Sequence, residues 1–190
     1  IDKSLRDLYI KLMSILKIAK LGHPVLQKKA SLVDKLPDPN IKKLIQDMTE
    51  TMLEYNGIGL AAPQVHVSKQ VMILRIPDEE KKDNNSIEIM ALINPKILKT
   101  FEPIENDWEG CLSIPHMLGL VKRFSRIIYE GLDMNGNAIK KEATGIHARI
   151  FQHEFDHLNG ILYIYRLANN KAFGFENEIK KYWKDINEKE

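Results

Sequence analysis

The chain has 190 residues, of which 44% are hydrophobic and 28% are charged, and its formal net charge is +2. This length suits one globular domain with its own hydrophobic core. So small a net charge gives no reason to expect direct DNA binding or an anionic membrane surface as a partner, and no apolar run approaches the ~20 residues that span a bilayer. A single cysteine, Cys111, excludes a disulfide framework.

Hydrophobic spacing predicts two helices in the first third of the chain. Residues 2–16 carry apolar side chains among Lys and Asp and are expected to form a short amphipathic surface helix. A second helix is expected to follow Pro37-Asp38-Pro39 and to end at Asn56-Gly57. The glycine-rich stretch 57–64 comes next. Its small residues allow a close backbone approach to another group, and a tight helix-to-strand turn is the plainer alternative.

The middle of the chain is predicted to form short strands. The polar stretch 77–86 is typical of a surface loop, Asn94-Pro95 is expected to end a strand, and Met134-Asn135-Gly136-Asn137 indicates a hairpin turn. The segment 108–115 is flanked by turns and carries the only thiol. The predicted strands cover residues 70–76, 87–93, 96–101, 118–121, 126–132 and 138–143.

Two histidines stand four residues apart in the stretch His153-Glu154-Phe155-Asp156-His157. On a helix, His153 and His157 lie one turn apart on the same face and can bind one metal ion. Glu154 lies about 100° further round, which suits a neighbour of a metal-bound water better than a third ligand. This is the H-E-x-x-H arrangement of metal-assisted hydrolysis. A surface helix with two solvated histidines is the alternative.

The flanks of this motif complete the predicted fold. Gly145 is expected to begin the helix and Asn159-Gly160 to end it. A brief strand over residues 161–164 and a terminal helix over residues 169–186 follow. The pattern predicts an α+β fold in which short antiparallel β-sheets pack around the central helix.

A catalytic metal with two histidine ligands needs a third protein ligand. Cys111 is one candidate, because a metal ion would itself favour the thiolate and Gly110 permits a close approach. Glu176 or Glu178 is the other, as in zinc endopeptidases that take a third ligand from a later helix. A lone cysteine that serves only as a small buried apolar residue is also consistent with the pattern.

Three separate segments resemble the motifs of the peptide deformylases. Residues 57–64 match the first motif, residues 109–113 (Glu-Gly-Cys-Leu-Ser) the second, and residues 153–157 the third, in the same order and with similar spacing. The likeness runs from about Leu16 to Leu167. It implies the deformylase fold, with an N-terminal extension, a catalytic domain and a C-terminal helix at residues 1–15, 16–168 and 169–190.

The resemblance also implies an activity and its residues. The enzyme would remove the N-formyl group, as formate, from the N-terminal formylmethionine of newly made proteins by attack of a metal-bound water on the formyl carbonyl. Glu154 would act as general acid/base, and the Gln64 side chain and the Leu112 backbone N–H would bind the developing oxyanion. The implied metal ligands are Cys111, His153 and His157, and the implied substrate-binding residues are Ile58, Gly59, Glu109, Gly110, Ile146 and Ile150.

The cofactor implied by the resemblance is one divalent metal ion, with Fe(II) as the native form and Zn, Ni or Co as substitutes. Arg123 occupies the family's arginine position and is expected to pair with Glu109, the alternative being an exposed arginine at a strand end. His116 is expected at the cleft rim.

A non-catalytic homologue that binds formyl-peptide ends would have lost a metal ligand or Glu154, and this sequence has lost neither.

Two further expectations concern location and partners. The stretch 148–152 is similar to plastid-type deformylases and, with the start at Ile1 and the extension before Leu16, it favours an organellar stroma or matrix. A bacterial-type cytoplasm is the alternative. N-formylmethionyl nascent peptides are the expected partners. A transient ribosome contact through Lys180, Lys181 and Lys184 competes with a plain solvated basic face.

Overall fold

The computed structural model describes residues 15–77 and 87–183. The predicted helix of residues 2–16 lies almost entirely outside these ranges, as does the predicted loop of residues 77–86. Within the described ranges no helix is long and apolar enough to cross a membrane. The helices are α1 (Pro39–Glu54), α2 (Gly145–Leu158) and α3 (Glu176–Tyr182), and the strands are β1 (Gly59–Ala61), β2 (Val71–Pro77), β3 (Ile87–Cys111), β4 (Ile114–Leu132), β5 (Ala138–Thr144) and β6 (Phe173–Phe175).

The six strands belong to one antiparallel sheet in the order β1-β2-β3-β4-β5, with β6 paired to β4. Four register shifts interrupt the pairing of β3 with β4, and such bulges bend and twist long strands. Helix α2 lies against β2 and β4, with Ala148 and Phe151 fully buried. The predicted α+β class is confirmed, although the described strands form one continuous sheet in place of separate short sheets.

The predicted strand end at Asn94-Pro95 is wrong, because β3 continues through it. Asn94 adopts a positive φ of 52°, and the register shifts between Ile93 and Lys96. Its side chain accepts a hydrogen bond from Val33 N and donates one to Val33 O, each at 2.9 Å. These contacts stabilise a bulge where the local sequence indicates a stop. The strands predicted at 118–121 and 126–132 are likewise parts of β4.

Helix α1 confirms the sequence prediction. Pro39 is its first residue, and the Asp38 carboxylate caps it by accepting a hydrogen bond from Asn40 N at 2.8 Å. Asn56, just beyond its end, has a positive φ of 52°. The apolar face of α1 is buried through Ile41, Ile45, Met48 and Met52.

Helix α2 is held against β4 by a side chain that mimics a backbone partner. Gln152 donates to Phe124 O at 2.8 Å and accepts from Phe124 N at 3.1 Å. Gly145 begins the helix and Gly160 follows it, with positive φ angles of 52° and 73° respectively. The predicted bounds of this helix are therefore confirmed, and its histidine-bearing turns have a fixed position on the sheet.

Substitution of Gly160 by alanine should destabilise the fold more than the same change at Gly145. Both glycines require a left-handed backbone, which costs an alanine roughly 1–2 kcal/mol. A Cβ at Gly145 would meet nothing within 4 Å, whereas a Cβ at Gly160 would lie 2.7 Å from the Gln27 carbonyl carbon. We expect Gly160→Ala to cost a further ~1–3 kcal/mol in the free energy of unfolding. Urea unfolding of both variants measures the difference, and equal losses would contradict it.

Two predicted elements near the C-terminus are wrong. Residues 161–164 form no strand, and a short 3₁₀ turn covers Tyr163–Tyr165. The predicted terminal helix is divided into β6 and the shorter α3, because Phe173–Phe175 pairs with residues 117–119 of β4. Residues 184–190, which include Lys184, lie outside the described chain.

Candidate metal centre and active site

Three potential metal ligands from two elements meet at one point. Cys111 ends β3, and His153 and His157 lie on consecutive turns of α2. One ligand atom from each residue lies within 4.8 Å of the others, and no second group of this kind occurs in residues 15–77 and 87–183. Glu176 forms an ion pair with Lys180, and Glu178 is exposed, so neither joins the cluster. The geometry therefore favours Cys111 over a C-terminal glutamate as third ligand.

The donor set fits a divalent transition metal. One thiol and two imidazoles suit zinc or ferrous iron. Burial alone would raise the pKa of the Cys111 thiol, but the charges and hydrogen bonds of His157 and His153 hold that pKa well below its ordinary value. The thiolate is the form that binds metals. His153 Nδ1 lies 2.8 Å from Glu109 Oε2, so the other ring nitrogen of His153 is available to a metal ion.

Glu154 lies beside this cluster and is almost fully buried. Burial raises its pKa to about 7. Its Oε2 atom has no hydrogen-bond partner among the described residues. Any side chain at Gly59 would collide with the Glu154 carboxylate, so β1 passes directly over this group. A carboxyl group with a pKa near neutrality suits general acid–base catalysis.

The side-chain amide of Gln64 points towards Cys111. The Gln64 side-chain oxygen accepts a hydrogen bond from Ala61 N at 2.8 Å, which fixes the orientation of the amide. Its Nε2 then donates to Cys111 Sγ at 3.5 Å and to Ser113 Oγ at 3.4 Å. Leu112 stands in the turn that joins β3 to β4, between Cys111 and Ser113, the two residues that this amide contacts. The two groups that are predicted to bind the oxyanion, the Gln64 side-chain amide and the Leu112 backbone N–H, therefore lie next to the predicted metal ligand Cys111.

A cleft of about 820 Å³ opens over these groups. All six predicted substrate-binding residues line it, as does His116, which was expected at the rim. Ile58 and Ile146 are each about half exposed, so the cleft presents apolar side chains next to the metal cluster. Lys20 and Arg149 also line the cleft.

Arg123 pairs with Glu109 as predicted, and it is buried and not an exposed strand-end residue. Its Nε and Nη2 donate to the two Glu109 carboxylate oxygens at 3.0 Å each. Burial alone would raise the pKa of Glu109, but the hydrogen bonds from His153 and Arg123 hold it well below its ordinary value. Glu109 is therefore a carboxylate that orients the His153 ring.

Three members of this network, Arg149, Asp156 and Arg166, were not predicted from the sequence. Arg149 Nη1 donates to Glu109 Oε1 at 2.8 Å, and Asp156 is paired with both Arg123 and Arg166. Asp156 lies within the His153–His157 motif, yet its spacing alone does not distinguish an exposed aspartate from a buried one. A basic residue one helical turn before His153 was the available signal for Arg149.

Comparison with known proteins assigns the family. The sequence profile described as "Polypeptide deformylase" matches residues 15–173. The chain belongs to the peptide deformylase family. Its activity is the removal of the N-formyl group from nascent peptides, and it is a hydrolase. The three motifs identified in the sequence lie within the matched range.

Similar proteins cover most of the chain. Peptide deformylase 1 of Nitrosomonas europaea is 45% identical over 163 residues, which are 85% of this chain and 93% of that protein. The Met-Ala-Ser-bound class I type b peptide deformylase of Acinetobacter baumannii has a TM-score of 0.75 at 37% identity. The match covers 81% of this chain and 99% of the Acinetobacter chain. The peptide deformylase of Thermotoga maritima has a TM-score of 0.74 at 40% identity, with 82% and 99% covered.

Proposed function

We propose that this deformylase holds one divalent metal ion with Cys111, His153 and His157 and moves the reaction's proton through Glu154. The single observation that carries this assignment is the convergence of three sequence motifs on one cleft. Gln64, Cys111 and Glu154 come from three distant segments, and their functional groups face the same small volume. A metal ion bound there would supply Lewis acidity, which activates water and polarises a carbonyl.

Each of the remaining steps falls to a side chain or backbone group of the protein. Glu154 accepts a proton from the attacking water and delivers it to the leaving amine, since its buried carboxyl group lines the cleft beside the ligand cluster. The Gln64 amide and the Leu112 N–H donate hydrogen bonds to the oxygen on which negative charge develops. The Gln64 amide is fixed before the substrate binds, because its side-chain oxygen accepts a hydrogen bond from Ala61 N.

The substrate is held by backbone pairing and by an apolar pocket. β1 is the first strand in the sheet order and lies along the cleft, so a peptide can add to it as a further strand next to Gly59. Gly110 allows an equally close approach on the other side. Ile146 and Ile150, with Glu109 and the ring of His153, form the pocket for the methionine side chain. The apolar stem of Arg149 joins this wall.

The direct test is formate release from formyl-Met-Ala-Ser by protein loaded with Fe(II) under anaerobic conditions. The Acinetobacter baumannii structure is described as bound to Met-Ala-Ser, the tripeptide that this reaction would leave. We expect stoichiometric formate and a new free amino terminus. Metal bound at the expected stoichiometry without formate release would overturn the catalytic assignment for this substrate and support the binding-protein alternative.

Replacement of Cys111 by serine should release the metal ion, whereas Glu178→Gln should retain it. Serine offers a poor ligand in place of a thiolate, and Glu178 is exposed and away from the cluster. We expect the zinc content after gel filtration to fall from one ion per chain to a small fraction in Cys111→Ser alone. Metal loss in Glu178→Gln with retention in Cys111→Ser would instead support the zinc-endopeptidase alternative.

The native metal, location and ribosome contact stay predictions. We infer Fe(II) as the native ion, with Zn, Ni or Co as substitutes, from the family resemblance and the mixed sulfur and nitrogen donors. The organellar prediction rests on residues 148–152, and the bacterial relatives give it no support. Lys180 and Lys181 are exposed on α3, which is compatible with a ribosome contact and equally with a solvated face.

A further inference from the structure

We propose that Lys20 is a positioning residue for the Cys111 ligand and acts through the peptide bond between Leu112 and Ser113. This inference rests on the proposed metal-binding role of Cys111. Lys20 precedes all three sequence motifs and lies at the cleft wall.

A continuous chain of hydrogen bonds joins the ammonium group to the sulfur atom. Lys20 Nζ donates to Leu112 O at 2.8 Å, and Ser113 N donates to Cys111 Sγ at 3.4 Å. The carbonyl of Leu112 and the N–H of Ser113 belong to the same peptide unit. A cation at the carbonyl oxygen polarises this unit, so its N–H becomes a stronger donor to the thiolate.

The backbone around Lys20 is fixed to the same part of the site. Ala19 N donates to Gln64 O and Leu21 N donates to Ser113 O, each at 2.8 Å. Ile18 and Ala19 are buried. Three consecutive residues therefore bind the backbone of Gln64 and of the Leu112–Ser113 turn. Lys20 is an exposed residue, but this backbone anchoring restricts where its side chain can reach and keeps its ammonium group beside the Leu112 carbonyl.

The chemical consequence concerns the electron density at sulfur. A stronger N–H···S hydrogen bond withdraws charge from the thiolate and holds the turn that presents Cys111. Loss of the Lys20 charge should leave more electron density on the thiolate, which lowers the energy of its charge transfer to a metal ion. It should also loosen the turn that presents Cys111, and this loss of orientation weakens metal binding. Substitutions of groups that orient metal ligands typically cost about 10–100-fold in metal affinity. Because Lys20 acts through one further peptide unit, we expect a smaller loss of about 3–10-fold.

The test compares Lys20→Met, Lys20→Arg and Lys17→Met as substrate-free protein loaded with Co(II) without oxygen. Methionine removes the charge at similar length, and arginine keeps a cationic donor. Lys17 is an exposed lysine in the same segment and provides the matched control. The measurements are the thiolate-to-cobalt charge-transfer band and the Co(II) affinity by chelator competition. A third measurement separates kcat from KM for formyl-Met-Ala-Ser.

We expect Lys20→Met to shift the charge-transfer band to longer wavelength, to weaken Co(II) binding and to lower kcat with little change in KM. Lys20→Arg should restore the band and the affinity, and Lys17→Met should leave both unchanged. An unchanged band and affinity in Lys20→Met would overturn the proposal. A raised KM without a band shift would also overturn it and indicate direct contact with the peptide. The band and the affinity need no substrate, so they remain decisive if formate release fails.

Discussion

Replacement of Glu154 by glutamine should lower kcat for formate release by about 10²–10⁴-fold without loss of the metal ion. Glutamine has the same shape but cannot accept or deliver a proton. Glu154 Oε2 has no hydrogen-bond partner among the described residues, so the change breaks no contact at that atom. The fold and the ligand cluster should therefore stay intact. Steady-state formate release and metal content per chain measure the two effects on the same preparation.

Glu178→Gln is the matched control for Glu154→Gln, because it makes the same chemical change at an exposed position. It should keep wild-type kcat and metal content. A Glu154→Gln enzyme with near wild-type kcat would show that another group moves the proton. A variant that has lost its metal would show that Glu154 stabilises the centre and that its catalytic role needs a different test.

Replacement of Arg123 by methionine should cost about 3–5 kcal/mol in the free energy of unfolding, because two buried carboxylates lose their shared cation. Arg123 lies between Glu109 and Asp156, and all three residues are buried. Arg149 still pairs with Glu109 and Arg166 with Asp156, so the protein should fold and the loss be measurable. Urea unfolding of the metal-free protein gives the difference as a lower midpoint at constant slope.

Arg126→Met serves as the control, since Arg126 lies on the same strand in an exposed pair with Glu142 and should contribute little to stability.

The loss of unfolding free energy in Arg123→Met should also depend on pH. The pKa of Glu109 is lower in the folded chain than its ordinary value of 4.5, so its ionic contribution is present above about pH 4.5 and declines as the pH falls below it. The stability difference between wild type and Arg123→Met should shrink in acid. A difference that grows in acid would contradict this account.

The elements that could be predicted from the sequence are those whose determinants lie close together in the chain. α1 has its cap, its first proline and its apolar spacing within residues 38–56. The hairpin between β4 and β5 has its turn residues in one tetrapeptide, and α2 carries both histidines and its flanking glycines. The site residues were predicted because three motifs resemble one family. The structure brings the predicted side chains to one cleft, except for His157, which is buried beside Cys111.

The elements that could not be predicted depend on distant partners. β3 continues through Asn94 because the Asn94 side chain accepts a hydrogen bond from Val33 N, 61 residues earlier. β6 forms because residues 117–119 offer an unpaired strand edge to a stretch whose apolar residues also fit a helix. Arg149 can be buried because the Glu109 carboxylate and the Glu105 and Val121 carbonyls accept its hydrogen bonds. Hydrophobic periodicity contains none of this information.

The pairing of β6 with β4 has a consequence for the behaviour of the protein in concentrated solution. An unpaired strand edge is a template for association between copies of a chain. Without Phe173–Phe175, the backbone of residues 117–119 would present such an edge at the rim of an apolar cleft. The chain covers this edge with its own C-terminal segment. The same three residues therefore pair the free edge of β4 beside the cleft and protect the protein against aggregation.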